Sequence, residues 1–175
     1  MLQPLTLAHL PRVKAWKNDP ALAHMIAALT GPFSDADVAD WLARNGSDPC
    51  QWLRGIFRPG QDEPLGVARL MFIDRVNAVA ELGMYLGAAQ ARGQGLGRAV
   101  VHALLAHGFG PLSLERIHLR VLEDNVAAIR CYEASGFRHE GRWRAHVRGP
   151  AGRLDMLLMG ILRREFVATS LEARP

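Results

Sequence analysis

Arg92-Gly93-Gln94-Gly95-Leu96-Gly97 sets three glycines in five residues between an apolar run, residues 79–86, and a segment carrying Val100, Val101, Leu104 and Leu105. The run predicts a strand, and the periodic segment predicts a helix. Glycine lacks a Cβ, so the chain can turn tightly here and bring its amides close to a bulky anion. The first amides of the following helix have no internal partners and carry about half a positive charge. Such a turn is a seat for a phosphate or diphosphate. Glycine used for tight packing alone is the other reading, and it stays open at this point. Two known phosphate-binding patterns do not match. A P-loop ends in Gly-Lys-Ser/Thr, whereas Gly97 is followed by Arg98-Ala99. A dinucleotide-binding turn carries G-x-G-x-x-G early in a βαβ unit; here the glycines alternate, mid-chain, after a strand with no βα unit before it.

Outward from the turn, the pattern alternates without repeats or low-complexity linkers. On the N-terminal side, Thr6 is an N-cap for a helix over 7–16, and Asp19-Pro20 opens a second over 21–29. Thr30-Gly31-Pro32 stops it, and Ser34 with Asp37 forms a weak capping box for a helix ending near Arg44. Strands follow at 52–57, 65–73 and 79–86, the first two divided by the turn Arg58-Pro59-Gly60-Gln61-Asp62. On the C-terminal side, Gly108-Phe109-Gly110-Pro111 closes the helix after Gly97. Ile117, Leu119 and Val121 mark a half-buried strand over 116–121. Asn125 or Asp124 caps a helix running to Ser135, with Gly136 at its left-handed C′ position. Strands over 138–147 and 153–162 flank a hairpin turn at 149–152. This order predicts one mixed α/β sheet rather than a doubly wound one.

Length and composition bound the classes. The 175 residues fit one domain, and 49% hydrophobic with 22% charged residues is a globular composition. Twenty-one Lys+Arg against 17 Asp+Glu give +4, a mild excess with no block of like charges, which argues against DNA as a partner. Cys50 and Cys131 make no disulfide framework, which points to a cytoplasmic setting. No apolar stretch is long enough for a membrane span, and the start lacks the pattern of an export signal.

The turn joins a wider set of motifs. Glu81-Leu82-Gly83-Met84-Tyr85-Leu86, then Arg92-x-x-Gly95-x-Gly97, then Glu123-Asp124-Asn125-x-x-Ala128-Ile129-Arg130-x-Tyr132-Glu133-x-x-Gly136-Phe137 together resemble the GNAT superfamily of acetyl-CoA-dependent N-acetyltransferases. The likeness covers most of the chain as a single acetyltransferase domain over 1–175. The ends, Trp16-Lys17-Asn18-Asp19-Pro20 and Glu140-Gly141-Arg142 with Asp155-x-Leu157-x-Met159-Gly160-x-Leu162, look like the branch of ribosomal-protein N-terminal, spermidine and amino-sugar-nucleotide acetyltransferases.

The resemblance implies a mostly antiparallel sheet of about six or seven strands, helices on both faces, and a central parallel pair that splays. It implies that Gly93, Gln94, Gly95, Gly97 and Arg98 grip the diphosphate of coenzyme A, with Arg92 assisting. Met84 and Leu86 pair with the pantetheine arm as an added strand would, and Asn125 contacts that arm. Tyr132 is the general acid or thiolate stabiliser, and Glu81, 11 positions before Arg92, is the candidate base. Bacterial N-terminal acetyltransferases carry a glutamate where this chain has Arg120; Glu123 or a water relay is the substitute. The acceptor is a primary amine of a small molecule, an amino-sugar nucleotide or a protein N-terminus, and a homodimer is implied. A non-catalytic acyl-CoA sensor on the same fold is the rival.

Other residues invite bland readings. His102 and His107 are five apart, and His139 and His146 seven apart, spacings that do not make a metal site, so no metal is expected. Cys131 reads as packing. Trp16 with Asn18 is a candidate acceptor wall. Arg138, Arg142, Arg144, Arg148 and Arg153 form either a solvated hairpin face or a strip for an anionic acceptor, unfavourable to a polycation such as spermidine.

Overall fold

The computed structural model describes residues 1–26, 32–149 and 152–166. Seven strands form one sheet in the order β1-β2-β3-β4-β5-β7-β6. They are β1 Leu2–Gln3, β2 Trp52–Phe57, β3 Pro64–Asp74, β4 Val79–Leu86, β5 Arg116–Leu122, β6 Arg138–Gly149 and β7 Gly152–Leu162. Helices α1 Leu10–Lys17, α2 Pro20–Met25, α3 Asp35–Ser47, α4 Leu96–Phe109 and α5 Val126–Glu133 accompany them among the described residues. Among the described residues only β4 and β5 pair in parallel; the other neighbours are antiparallel.

The strands at 52–57 and 79–86 fall where the apolar patterning puts them, and the helix boundaries differ for local reasons. Instead of one helix from residue 7, a single 3₁₀ turn (Leu7–His9) precedes α1, with Pro11 in the first turn of α1. His9 Nδ1 accepts from the Thr6 backbone amide at 3.0 Å, so a histidine ring satisfies an amide that the helix start leaves over. α3 runs past Arg44 to Ser47, where Asn45 donates to the Trp41 carbonyl (2.7 Å) and Ser47 to that of Ala43 (3.0 Å). Asp19 caps α2 by accepting from Ala21 and Leu22, and α2 ends at Met25. Residues 27–29 of the expected second helix, the break at Thr30-Gly31, and Pro150-Ala151 of the hairpin turn lie outside the described residues.

Side chains alternate between the sheet faces, so the paired register decides which face each residue joins. Ala68, Leu70, Ala80, Leu82, Ile117 and Leu119 face a core built with α4, whose Val100, Val101, Leu104 and Leu105 are fully buried. Each such leucine contributes roughly 1.5–3 kcal/mol of burial. The opposite face carries Val67 and Tyr85, and α1 and α3 cover it with Val13, Trp16, Val38 and Trp41. Gly87 lets that roof sit close: a Cβ there would meet the Trp16 indole at 2.2 Å.

Candidate active site

The two faces communicate through a split in the sheet. β4 and β5 pair only at Val79–Arg116, Ala80–Ile117 and Glu81–His118, although β4 continues to Leu86 and β5 to Leu122. β5 stays paired with β7 along its whole length, so the parting leaves one edge of β4 from Leu82 onward without a strand beside it among the described residues. An extended ligand can add to such an edge by main-chain hydrogen bonds. The parting opens into a cleft of about 1060 Å³ whose walls belong to both cores. Met84 and Leu86, the positions expected against the pantetheine arm, are among its lining residues.

At one end lies the glycine turn. Gly93 and Gly95 adopt φ of 72° and 74°, in the left-handed region. Nothing stands within 4 Å of where their Cβ atoms would be. Gly95 is the N-cap of α4, so the free amides of a 14-residue helix open beside it. Arg92, Gly93, Gly95, Gly97, Arg98 and Arg130 line the cleft there, Arg130 being a cation that the sequence reading passed over. Arg92 Nε donates to the Leu86 carbonyl at 3.0 Å and ties the turn to the end of β4. The Gln94 side chain is engaged elsewhere: it accepts from Arg58 (2.9 Å), donates to the Gln90 carbonyl (2.9 Å) and faces a separate recess, so the part expected of Gln94 in the turn falls to its backbone amide.

Along the cleft wall, Tyr132 on α5 is 8% exposed and packs edge-on to Phe137. Its hydroxyl makes no hydrogen bond among the described residues, and burial holds the phenol well above its ordinary pKa. Asn125 lines the cleft, but both ends of its amide are engaged: Oδ1 accepts from Ala128 N (3.2 Å) and Nδ2 donates to the Met25 carbonyl (3.0 Å). It caps α5 and docks α2, and these bonds use one N–H and one lone pair of the amide while the residue remains in the cleft wall. Cys131 sits half-buried with Sγ 3.4 Å from the Cβ position of Gly97, and burial raises its thiol, as suits packing rather than nucleophilic attack.

Glu81 marks where the strands part. It is 8% exposed, accepts from Arg120 Nε at 2.9 Å, and its other oxygen lies 3.9 Å from His118 Nε2. Burial, the largest influence on His118, lowers its pKa and leaves the ring neutral at pH 7. Arg120 therefore does not leave the site without a carboxylate; it grips the one supplied by the neighbouring strand. Glu123 is no substitute base, because it accepts from Arg142 and from the Asp155 amide and does not line the cleft.

Beyond Glu81, on the face under α1 and α3, the cleft is lined by Trp16, Lys17, Trp41, Arg69 and Tyr85. Trp16 stands edge-on to Tyr85 at 6.0 Å, whereas Asn18 bonds both backbone groups of Phe33 and takes no part in the wall. The hairpin arginines are largely spoken for: Arg142 pairs with Glu123 and Asp155, Arg138 with Glu165, and Arg153 donates to the Ala145 carbonyl. Arg148 and His146 alone of that hairpin's basic groups reach the cleft. Among the described residues no cluster of three His, Cys, Asp or Glu side chains is placed to hold a metal, and no helix is long and apolar enough to cross a membrane.

A split mixed sheet, with a bare-amide turn at one end of the split and a buried carboxylate at its apex, defines an acyl-coenzyme A-binding class of protein. The chain belongs to the family described as acetyltransferase (GNAT) domain, whose profile matches residues 1–138. It is 30% identical over 105 residues to the uncharacterized N-acetyltransferase p20 of Bacillus licheniformis (60% of this chain, 58% of that one). It is also 30% identical over 88 residues to the spermidine N(1)-acetyltransferase of Vibrio cholerae (50% of each). The aligned part thus spans about half the length of these relatives. The crystal structure of spermidine N-acetyltransferase from Vibrio cholerae in complex with CoA and spermine superposes with a TM-score of 0.87, over 95% of this chain and 97% of that one, at 21% identity. None of these relatives bears a ribosomal-protein or amino-sugar-nucleotide name, so that finer branch is not supported.

Coenzyme A fits the residues present. The open Cβ positions at Gly93 and Gly95, the free amides of α4, and Arg92, Arg98 and Arg130 make an anion seat, and the unpaired edge of β4 leads from it toward Tyr132 and Glu81.

Proposed function

We propose that the chain transfers the acetyl group of acetyl-CoA directly to the primary amine of a small molecule. The observation that carries this reading is the single cleft that joins the glycine turn to Glu81 through the parted β4 and β5, with Tyr132 buried in its wall. Bound acetyl-CoA supplies a thioester activated for attack. The turn amides from Gly93 to Arg98 fix its diphosphate, and the backbone of Met84 and Leu86 aligns the arm. An aliphatic amine is neutral in only about one molecule in a thousand at pH 7, so a proton must leave before nitrogen attacks. Glu81, which lines the cleft, takes it, directly or through a water; Arg120 holds one of its carboxylate oxygens, and the other lies 3.9 Å from His118 Nε2. The C–N bond forms as the C–S bond breaks, the second proton shed by the new amide nitrogen ends on the departing sulfur to give the free thiol, and Tyr132 meets that sulfur. A thiol has pKa about 8.5, below that of a phenol. Because burial pushes the Tyr132 phenol higher still, it acts as a hydrogen-bond donor to the thiolate rather than as a full proton source. Proximity supplies much of the rate, and no covalent enzyme intermediate is needed.

Small-molecule amines are favoured over protein N-termini because relatives named as spermidine acetyltransferases share the fold and part of the sequence. The two free cysteines accord with a cytoplasmic setting. The test is release of free thiol from acetyl-CoA across an amine panel. Turnover with at least one primary amine is the expected result; tight acetyl-CoA binding without turnover of any amine would make the chain a sensor instead.

A further inference from the structure

Glu81 is the sole carboxylate among the described residues lining the cleft, and it is already paired with Arg120. The far end of the cleft nevertheless holds two more cations, Lys17 and Arg69, neither of which has an ion-pair partner among the described residues. Arg69 is a charged interruption of β3, which is otherwise buried around it, and it pairs in register with Gly83. A Cβ on Gly83 would lie 3.2 Å from Arg69 Nε, so that glycine makes room for the guanidinium. Lys17 Nζ is held over the rings of Trp41 (4.6 Å) and Phe33 (5.0 Å). Beside Arg69 stands Tyr85, whose hydroxyl is buried in the cleft wall with no hydrogen-bond partner among the described residues.

These groups form one coupled set. Burial first, and Arg69 second, lower the pKa of Lys17; burial lowers that of Arg69, with Arg120 adding to the repulsion and Glu81 and Tyr85 opposing it. Desolvated like charges and an orphan buried donor are each unfavourable by themselves, and one anion relieves all of them. An arginine fork, an ammonium and a phenol hydroxyl are donors suited to a carboxylate or a phosphate.

We infer that the amine acceptor also carries an anionic group, a carboxylate or a phosphate, seated on Lys17, Arg69 and the Tyr85 hydroxyl while its amine reaches Glu81. This deepens the transferase reading and rests on it. It also separates this chain from relatives named for spermidine, since a polycation would meet like charge at this end of the cleft.

The test compares four primary amines of one chain length: the alkyl monoamine, the diamine, the ω-amino carboxylate and the ω-aminoalkyl phosphate. With the full chain and saturating acetyl-CoA, kcat/KM for at least one anionic amine should exceed that of the monoamine by about tenfold, and the diamine should be the poorest. Whichever of the carboxylate and the phosphate leads identifies the anion. In Arg69→Met the ratio of anionic to neutral kcat/KM should fall toward one. Tyr85→Phe guards against a merely structural effect: losing an orphan buried hydroxyl should leave the Tm unchanged or raise it, while the same ratio falls. A diamine or monoamine used as well as the better of the two anionic amines would overturn the inference and leave the transferase reading standing. Absence of turnover with every amine would sink the transferase reading itself, and this inference with it.

Discussion

The two ends of the cleft are built from different materials. The end proposed for the diphosphate is mostly backbone: glycines at φ near 70°, the amide start of α4, and an arginine tying the turn to β4. The acceptor end is side chains: Glu81 gripped by Arg120, Lys17 over two aromatic rings, and Arg69 beside Tyr85. A backbone site depends on local conformation and tolerates change in its neighbours, provided the glycines remain. A side-chain site depends on the register of three strands and the seating of α1, so the same fold can present a different surface to a different amine.

The sharpest way to break that contrast is Gly95→Glu. A side chain at φ 74° is strained, and a carboxylate at the N-terminus of α4 would occupy the anion seat, so acetyl-CoA affinity by calorimetry should fall by at least about a hundredfold. Unchanged affinity would make the turn purely structural. Next in size is Tyr132→Phe, expected to lower kcat by about tenfold or more while acetyl-CoA affinity holds, because the lost hydrogen bond matters only as sulfur departs. Equal kcat would remove the phenol from the mechanism.

Gly87→Ala probes the other end. Its Cβ would strike the Trp16 indole at 2.2 Å and shift the roof of the acceptor wall. Stability should drop by about 1–3 kcal/mol in denaturant unfolding, and the acceptor KM should rise with little change in acetyl-CoA affinity. A larger effect on acetyl-CoA than on the amine would mean that the two ends are not separable. The smallest effect is on alkaline stability. Burial raises the pKa of both Tyr85 and Tyr132 above the ordinary value of 10, so the folded chain keeps protons that the unfolded chain releases. The stabilisation is complete below about pH 10 and fades as pH rises beyond it. Melting temperature measured from about pH 8 to 11 should fall at the alkaline end, and fall less in Tyr85→Phe; an equal fall in both would exclude Tyr85 as a source.

The strands at 52–57 and 79–86, the glycine turn and the cap at Asn125 are legible because each is a short-range pattern: β-branched and apolar runs, missing Cβ atoms, a side-chain oxygen ahead of a helix. Arg69 left one visible mark, a charge inside a strand of otherwise buried residues, and Arg130 lies within the quoted motif. Nothing local reveals that Arg120 holds Glu81, 39 positions away, or that Glu123 is consumed by Arg142 and Asp155. The arginines of the last hairpin leave open a strip for an anionic acceptor until their carboxylate partners are seen.

By itself, then, the chain's order of residues determined a mixed sheet, a glycine turn ahead of a helix, and the phenol on the helix that follows β5, because backbone conformation near glycine and alternation along a strand act over a few residues. Only the tertiary structure decided which charges meet. Pairing in register put Glu81 beside His118, laid Arg69 against Gly83, and parted β4 from β5 just past that point. Coulomb interaction and desolvation depend on distances through space that spacing along the chain does not encode.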